Sequence, residues 1–258
     1  MERTLLIVAG PCVVESRELV HTVAEHVCRV CASLPVRLVF KASYRKANRT
    51  SARSFTGIGD ERALEVLAEI RHTYGVPVLT DVHTPEEARR AAQYVDVLQI
   101  PAFLCRQTDL LMAAGATGKP VNIKKGQFMA PEAMVHAVEK VRLGGGSTVW
   151  LTERGTMFGY RDLVVDFRSL VVMRQTGCPV LYDATHSLQQ PNIGERSGGQ
   201  RQFVRALARA AVAVGVDGIF FETHPNPEQA LSDPETQLPL AEVESFLHEL
   251  VALWQALP

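Results

Sequence analysis

The sequence predicts a single closed (β/α)8 barrel, and three features carry that expectation. Short β-branched runs alternate with amphipathic stretches along the whole chain. Eight such runs fit within its 258 residues. Polar side chains gather at the far end of each run instead of along it. Single α/β barrels commonly reach about 250 residues. No linker, low-complexity tract or run of like charge divides the chain, so residues 1–258 are expected to form one domain. An open doubly wound sheet is the competing architecture, but no G-x-G-x-x-G follows the first run.

In chain order the expected strands are LLIVAG (5–10), VRLVFKAS (36–43), VPVLTDVH (76–83), VDVLQIPA (95–102), PVNIKKG (120–126), STVWLTERG (147–155), CPVLYDATH (178–186) and DGIFFETH (217–224). Each is apolar along most of its length, as strands buried on both faces of a parallel sheet must be. The helical stretches between them include 61–73, 85–94, 131–143, 200–214 and 240–257. Several start after proline or a polar cap and stop at Gly75, Gly115, Gly144 or Gly215.

Composition excludes several function classes. Lys and Arg total 27 against 28 Asp and Glu, with no basic block, which argues against nucleic acid or an anionic membrane as the main partner. The apolar run in MERTLLIVAGP is too short for a secretory signal, and no segment approaches the roughly 20 apolar residues of a membrane span. Five cysteines, an odd number in a long chain, do not make a disulfide framework. A soluble cytoplasmic protein is expected.

The strand ends hold the chemistry. Strand one leads to Cys12, strand two to Lys41 and Ser43, strand three to Asp81 and His83, and strand four carries Gln99. Strand five ends in Lys124 and Lys125, strand six in Glu153 and Arg154, strand seven in Asp183 and His186, strand eight in Glu222 and His224. A closed barrel brings all these ends to one mouth, where this fold builds its active sites. Lys41, Lys46, Arg49, Lys124 and Arg154 then converge, and converging cations suit phosphate and carboxylate groups. So many imply more than one anionic group. Cys12, His186, Glu222 and Asp233 come from neighbouring strands of a closed barrel and form a possible site for Zn²⁺, Fe²⁺ or Mn²⁺ in preference to Mg²⁺. From the residues alone, Cys12 is equally well explained as a small core residue and His186 as a loop histidine.

Other features read as structural. Cys28 and Cys31 lie on an apolar helix face with no second pair for zinc, and Cys105 and Cys178 are small fillers. Gly144–Gly146 precedes a strand, so it reads as a helix-ending turn and not as a phosphate cradle. Ser197-Gly198-Gly199 is either a lid or the entry turn of the next helix.

Taken literally, several segments resemble a known family: AGPCVVES (9–16), FKASYRKANRTS (40–51), LTDVH (79–83), LQIPAFLCRQTDL (98–110), NIKKGQF (122–128), TERGTMFGY (152–160), YDATHS (182–187), SGGQR (197–201) and ETHPNPEQALSDPETQLPL (222–240). They look like the 3-deoxy-D-manno-octulosonate 8-phosphate synthases, from the first strand to residue 240. The resemblance implies a (β/α)8 barrel, usually a homotetramer, that condenses phosphoenolpyruvate with arabinose 5-phosphate for lipopolysaccharide synthesis. Lys46-Ala47-Asn48-Arg49-Thr50 matches these enzymes; the related heptulosonate synthases, which use erythrose 4-phosphate, usually have Lys-Pro-Arg-Thr. Thr50 stands where members commonly have Ser, so the hydroxyl persists with an added methyl. Cys12 matches the metal-dependent branch, whose other branch has Asn there, and His186, Glu222 and Asp233 match its remaining ligand positions.

By the same resemblance, Lys124 and Arg154 hold the phosphoenolpyruvate phosphate, with Lys41, Ser43 and Gln99 near its carboxylate. Asn48, Arg49 and Thr50 hold the sugar phosphate and hydroxyls, aided by Arg106, reaching in from a neighbouring subunit. Lys46 protonates the aldehyde oxygen, and Asp81 and His83 manage the proton of the added water. The rival from another class is a catalytically idle phosphosugar-binding barrel.

Overall fold

The computed structural model describes residues 4–49, 51, 53–157, 162–190 and 198–257. Strands β1 (Leu5–Gly10), β2 (Val36–Lys41), β3 (Val78–Asp81), β4 (Val97–Ile100), β5 (Val121–Lys124), β6 (Val149–Glu153), β7 (Val180–Asp183) and β8 (Gly218–His224) pair in parallel in chain order. Strand β8 returns to β1, with Leu6 opposite Gly218 and Gly10 opposite Glu222, so the eight-stranded barrel closes. Helices α1 (Arg17–Ala32), α2 (Asp60–Tyr74), α3 (Pro85–Ala91), α4 (Thr108–Ala116), α5 (Met134–Leu143), α6 (Arg168–Arg174), α7 (Val204–Val214) and α8 (Val243–Gln255) alternate with the strands. No helix among the described residues is long and apolar enough to cross a membrane.

Local chemistry sets the helix ends. Ser16 caps α1 by accepting from the Leu19 N–H at 3.1 Å, and Thr84 caps α3 by accepting from Glu87 N–H at 3.2 Å. Pro85 follows Thr84 at the first helical position, where no N–H is needed. The stretches expected to begin at 131, 200 and 240 open with a 3-10 turn, and the α-helix starts three or four residues later. Gly75 and Gly215 close α2 and α7 in the left-handed conformation.

Gly115 does not terminate its helix, because α4 runs on to Ala116. Its role is steric. A Cβ there would lie 2.2 Å from the Val141 carbonyl oxygen, and one at Gly144 would lie 2.2 Å from that of Met112. These glycines let α4 and α5 approach backbone to backbone.

Strand periodicity separates two cores. Leu6, Val8, Val39, Leu79, Val97, Trp150, Leu181 and Phe220 form a cluster inside the barrel. Alternate residues such as Leu5, Ile7, Ile123 and Leu151 join the larger layer beneath the helices. Continuing the inner parity towards the strand ends gives Lys41, Asp81, Gln99, Lys124, Thr152 and Arg154, then Asp183 and Glu222. Greasy below and charged above, the interior ends in the mouth. The same parity divides two pairs that the sequence placed together there. Lys125 and Glu153 face outward and approach each other at 3.5 Å under the loops, whereas Lys124 and Arg154 face inward.

Gly115→Ala tests the helix contact. Intrinsic propensity favours alanine by about 1 kcal/mol, but the clash with Val141 should outweigh it and lower stability by about 1–3 kcal/mol. Thermal or denaturant unfolding measures the balance, and a variant more stable than the parent would refute the close approach.

Candidate active site

A cavity of about 650 Å³ opens at the C-terminal ends of the strands. Lys41, Ser43, Gln99, Lys124 and Arg154 line it from the barrel side, and Lys46, Asn48 and Arg49 from the loop after β2. Asp81, His83, His186 and Asp233 complete the expected residues that reach it. Thr50 lies outside the described residues. Arg106 is exposed and lies outside the cavity of its own chain, its carbonyl accepting from Lys140 Nζ at 2.9 Å.

Several polar atoms on the cavity wall are buried without a hydrogen-bond partner: Ser43 Oγ, Arg49 Nη2, Asp81 Oδ1, Gln127 Oε1 and Arg154 Nη1. Unpaired buried groups are uncommon and costly, so their gathering here marks a surface shaped for a polar ligand. Gln99 is oriented for the same task. Thr152 Oγ1 donates to Asn122 Oδ1 at 2.7 Å, and Asn122 Nδ2 donates to Gln99 Oε1 at 3.2 Å. The Gln99 amide therefore presents its N–H groups to the cavity.

Two buried lysines form the floor. Lys41 Nζ is ion-paired with Glu222 and donates to the Cys12 carbonyl at 3.0 Å. Lys124 Nζ is ion-paired with Asp183 and lies 3.6 Å from the centroid of the Phe220 ring. Burial pulls the Lys124 ammonium down to about 8 despite the neighbouring carboxylate. Asp183 also accepts from His186 Nδ1 at 2.8 Å and from the backbone N–H groups of Thr185 and His186 at 3.0 and 2.9 Å. That leaves His186 Nε2 on the side of Glu222, 3.5 Å away. Lys46 is half-buried; desolvation opposes its charge, but Cys12, Glu222, Asp81 and Asp233 outweigh that and hold its ammonium above the ordinary range.

Behind this floor, ligand atoms of Cys12, Glu222 and Asp233 lie within 4.8 Å of one another. Cys12 Sγ donates to Asp233 Oδ2 at 3.1 Å, and Ser232 Oγ is 2.8 Å from the sulfur. Asp233 is the sole non-glycine with positive φ (+47°) among the described residues, a conformation aspartate tolerates better than most. Gln189 Nε2 holds its other oxygen at 2.9 Å. Glu222 Oε2 has no partner, and burial together with the Glu222 charge pushes the Cys12 thiol well above its usual value. A thiol crowded by two carboxylates, with one oxygen unsatisfied, fits a divalent cation, which would stabilise the thiolate and relieve the like-charge repulsion. His186 adjoins this group through Glu222 without belonging to the mutually close three.

At the rim near β3, His83 Nε2 lies 3.3 Å from Asp81 Oδ2, and His83 Nδ1 lies 2.8 Å from Glu87 Oε2. Burial opposes the imidazolium, yet the two carboxylates raise His83 to about 9. Asp81 is held low by its His83 hydrogen bond and by Lys46 against the opposing effect of burial. Around neutral pH this is an ion pair, so His83 is a donor and Asp81 an acceptor.

Residues 1–257 match the family model described as the DAHP synthetase I family. The chain belongs to the DAHP synthetase I family. Similar curated proteins include the 2-dehydro-3-deoxyphosphooctonate aldolase of a Synechococcus strain, 53% identical over 98% of this chain and 89% of its own length. Those of Dechloromonas aromatica, 53% identical over 99% and 93%, and Trichlorobacter lovleyi, 54% identical over 97% and 93%, carry the same name. Within this family frame, Gln127, Gln189 and Ser232 are site neighbours that the sequence did not single out. Gln127 and Gln189 sit just beyond strand ends, and that position was the available signal.

The fit of the Cys12 group to a metal has a direct check. Cys12→Ala should bind at least about tenfold less divalent metal than the parent under matched dialysis, measured by elemental analysis. Unchanged metal content would remove the thiol from the ligand set.

Proposed function

We propose that the protein condenses phosphoenolpyruvate with D-arabinose 5-phosphate and water, giving 3-deoxy-D-manno-octulosonate 8-phosphate and inorganic phosphate, a transferase reaction that feeds lipopolysaccharide synthesis. One observation carries the reading beyond family membership. Arg49 and Arg154, on separate loops, each bring a buried, unpartnered guanidinium N–H to the same cavity. Two such donors suit two phosphorylated reactants.

Phosphoenolpyruvate is assigned to the floor, its phosphate with Lys124 and Arg154 and its carboxylate with Lys41, Ser43 and the free Gln99 amide. The Lys124 ammonium, lowered by burial, is stabilised by the incoming phosphate charge. Arg154 is steadied by Gln189, whose Oε1 accepts from Nη2 at 2.6 Å, leaving Nη1 for the ligand. Asn48, Arg49 and Thr50 are assigned to the sugar, and Arg106, exposed on its own chain, to the sugar phosphate of a neighbouring copy in a homotetramer.

Carbon C3 of phosphoenolpyruvate attacks the aldehyde carbon, forming the new C–C bond. Lys46, charged before substrates arrive, gives a proton to the oxygen as it becomes an alkoxide. Water adds at C2, with Asp81 Oδ1 accepting a hydrogen bond from it and His83 holding the carboxylate in place. One proton of that water returns to the Lys46 amine; as the C2–O bond to phosphate breaks, the second passes to the departing phosphate, leaving the ketone and inorganic phosphate. A divalent ion held by Cys12, His186, Glu222 and Asp233 would supply Lewis acidity at this site. Fixing both polyanions in register contributes separately, since well-oriented pairs recover about 7–11 kcal/mol of barrier.

The deciding assay supplies phosphoenolpyruvate, divalent metal and either arabinose 5-phosphate or erythrose 4-phosphate, and follows phosphate release. Turnover is expected with the five-carbon sugar; preference for the four-carbon sugar would make the enzyme a heptulosonate synthase, and no turnover with either would leave a binding barrel. Lys46→Ala should lower kcat by about 10²–10⁴ with much smaller changes in KM. An unchanged kcat would take Lys46 out of the chemistry.

A further inference from the structure

Glu87 carries a cluster that the reaction as described does not use. It lies in the first turn of α3, three residues after the Thr84 cap, in the Thr-x-x-Glu spacing of a capping box. In that motif the carboxylate would return to the backbone of the cap residue. Here it reaches one residue further back: Oε2 accepts from the His83 backbone N–H at 2.9 Å and meets His83 Nδ1 at 2.8 Å. The other oxygen, Oε1, is ion-paired with Arg45, the residue before Lys46. One nearly buried carboxylate thus ties the loop after β3 to the loop after β2.

We propose that Glu87 is a positioning residue that clamps His83, fixing its Nε2–H on Asp81 Oδ2 and thereby leaving Asp81 Oδ1 free to face the cavity. The geometry allows little else. With Nδ1 committed to Glu87, the far ring nitrogen lies 3.3 Å from Asp81 Oδ2, while Oδ1 is buried, unpartnered and on the cavity wall. Without the clamp, the ring can rotate and Asp81 can turn either oxygen towards the lysines. The groups facing His83 are Asp81 from β3, Glu87 from α3, and Tyr44, whose ring centroid is 6.4 Å away; Arg45 and Lys46 act behind Glu87 and Asp81 respectively. Arg45 also meets Asp60 at 3.4 Å, and Arg90 holds Asp60 at 2.7 Å, so the anchor for Glu87 is itself fixed.

The charge states agree with that geometry. The His83 hydrogen bond pulls Glu87 down to about 2 against the opposing effect of burial, while His83 rises to about 9. A histidine whose folded value is raised contributes stability fully below its unfolded value of about 6.5, and that contribution fades as pH climbs through about 9. Clamp and charge should therefore be lost together at alkaline pH.

The proposal rests on the reaction assigned above, so its test includes a readout that needs no turnover. In the metal-loaded wild type without substrates, NMR should find both His83 ring nitrogens protonated at pH 7; a midpoint below 7 overturns the clamp without any variant. Glu87→Gln keeps the length and one acceptor oxygen but loses the charge, and should lower the His83 midpoint by about two units. Its kcat should fall about tenfold at pH 8, recover to within about twofold at pH 6, and leave both KM values within about twofold. An unmoved His83 midpoint, or a kcat loss equal at both pH values, would show Glu87 to be structural only. If the wild type forms no product, the assigned reaction fails while the titration still judges the clamp.

Discussion

Two ammonium groups inside the barrel, Lys41 and Lys124, are the constraint around which the rest of the site is arranged. They are 1% and 5% exposed, and a bare cation at that depth would be heavily destabilising. Each ends on a carboxylate from β7 or β8, Glu222 for Lys41 and Asp183 for Lys124. Strand order makes the matching possible, because a barrel closed through β8 and β1 lets carboxylates late in the chain meet cations placed much earlier. Neither carboxylate is spent on its lysine. Asp183 also aligns His186, and Glu222 keeps one oxygen free beside Cys12. Removing one partner of a buried pair typically costs about 3–5 kcal/mol, so each carboxylate is bound to folding as tightly as to function.

Gly10 illustrates how closely backbone packing serves this floor. A Cβ at that position would lie 2.0 Å from the Lys41 carbonyl oxygen, so β1 can approach β2 only with glycine there. That approach sets Cys12, two residues later, where its carbonyl meets Lys41 Nζ and its sulfur meets Asp233. On the opposite side, the left-handed backbone of Asp233 is retained because Cys12, Ser232 and Gln189 all bond its carboxylate.

The barrel was legible in the sequence because its determinants are local and periodic: apolar runs of strand length, helix caps such as Thr84-Pro85, and polar residues at fixed ends. Lys41, Lys124 and Arg154 stood out for the same reason, as cations terminating greasy runs. Adjacent residues defeated that logic. Lys124 and Lys125 look equivalent in the chain, yet a strand turns successive side chains to opposite faces, and Lys125 ends among Glu153 and Thr156. Cys12 and Asp233, 221 positions apart, carry no mutual signal short of a known fold. Glu87 was hidden differently, since an acid in the first turn of a helix ordinarily needs no explanation beyond capping and the dipole. Only its partners distinguish it.

The site also divides by the stiffness of what supports each residue. Lys41, Gln99 and Lys124 stand on strands with neighbours packed on every side, and Gln99 is held through a chain of two hydrogen bonds. Lys46, Asn48 and Arg49 stand on the long connection between β2 and α2, where Arg49 Nε donates to the Phe55 carbonyl at 2.9 Å and Lys46 N–H donates to the Thr56 carbonyl at 2.8 Å. Substitution on the strands disturbs the packed interior and its charge balance; substitution on the connection disturbs far less. The loop is therefore the part of the site that can change at least cost to the fold. Glu87 joins the two through Arg45, so the loop after β2 is tied to the carboxylate that also meets His83 beside Asp81.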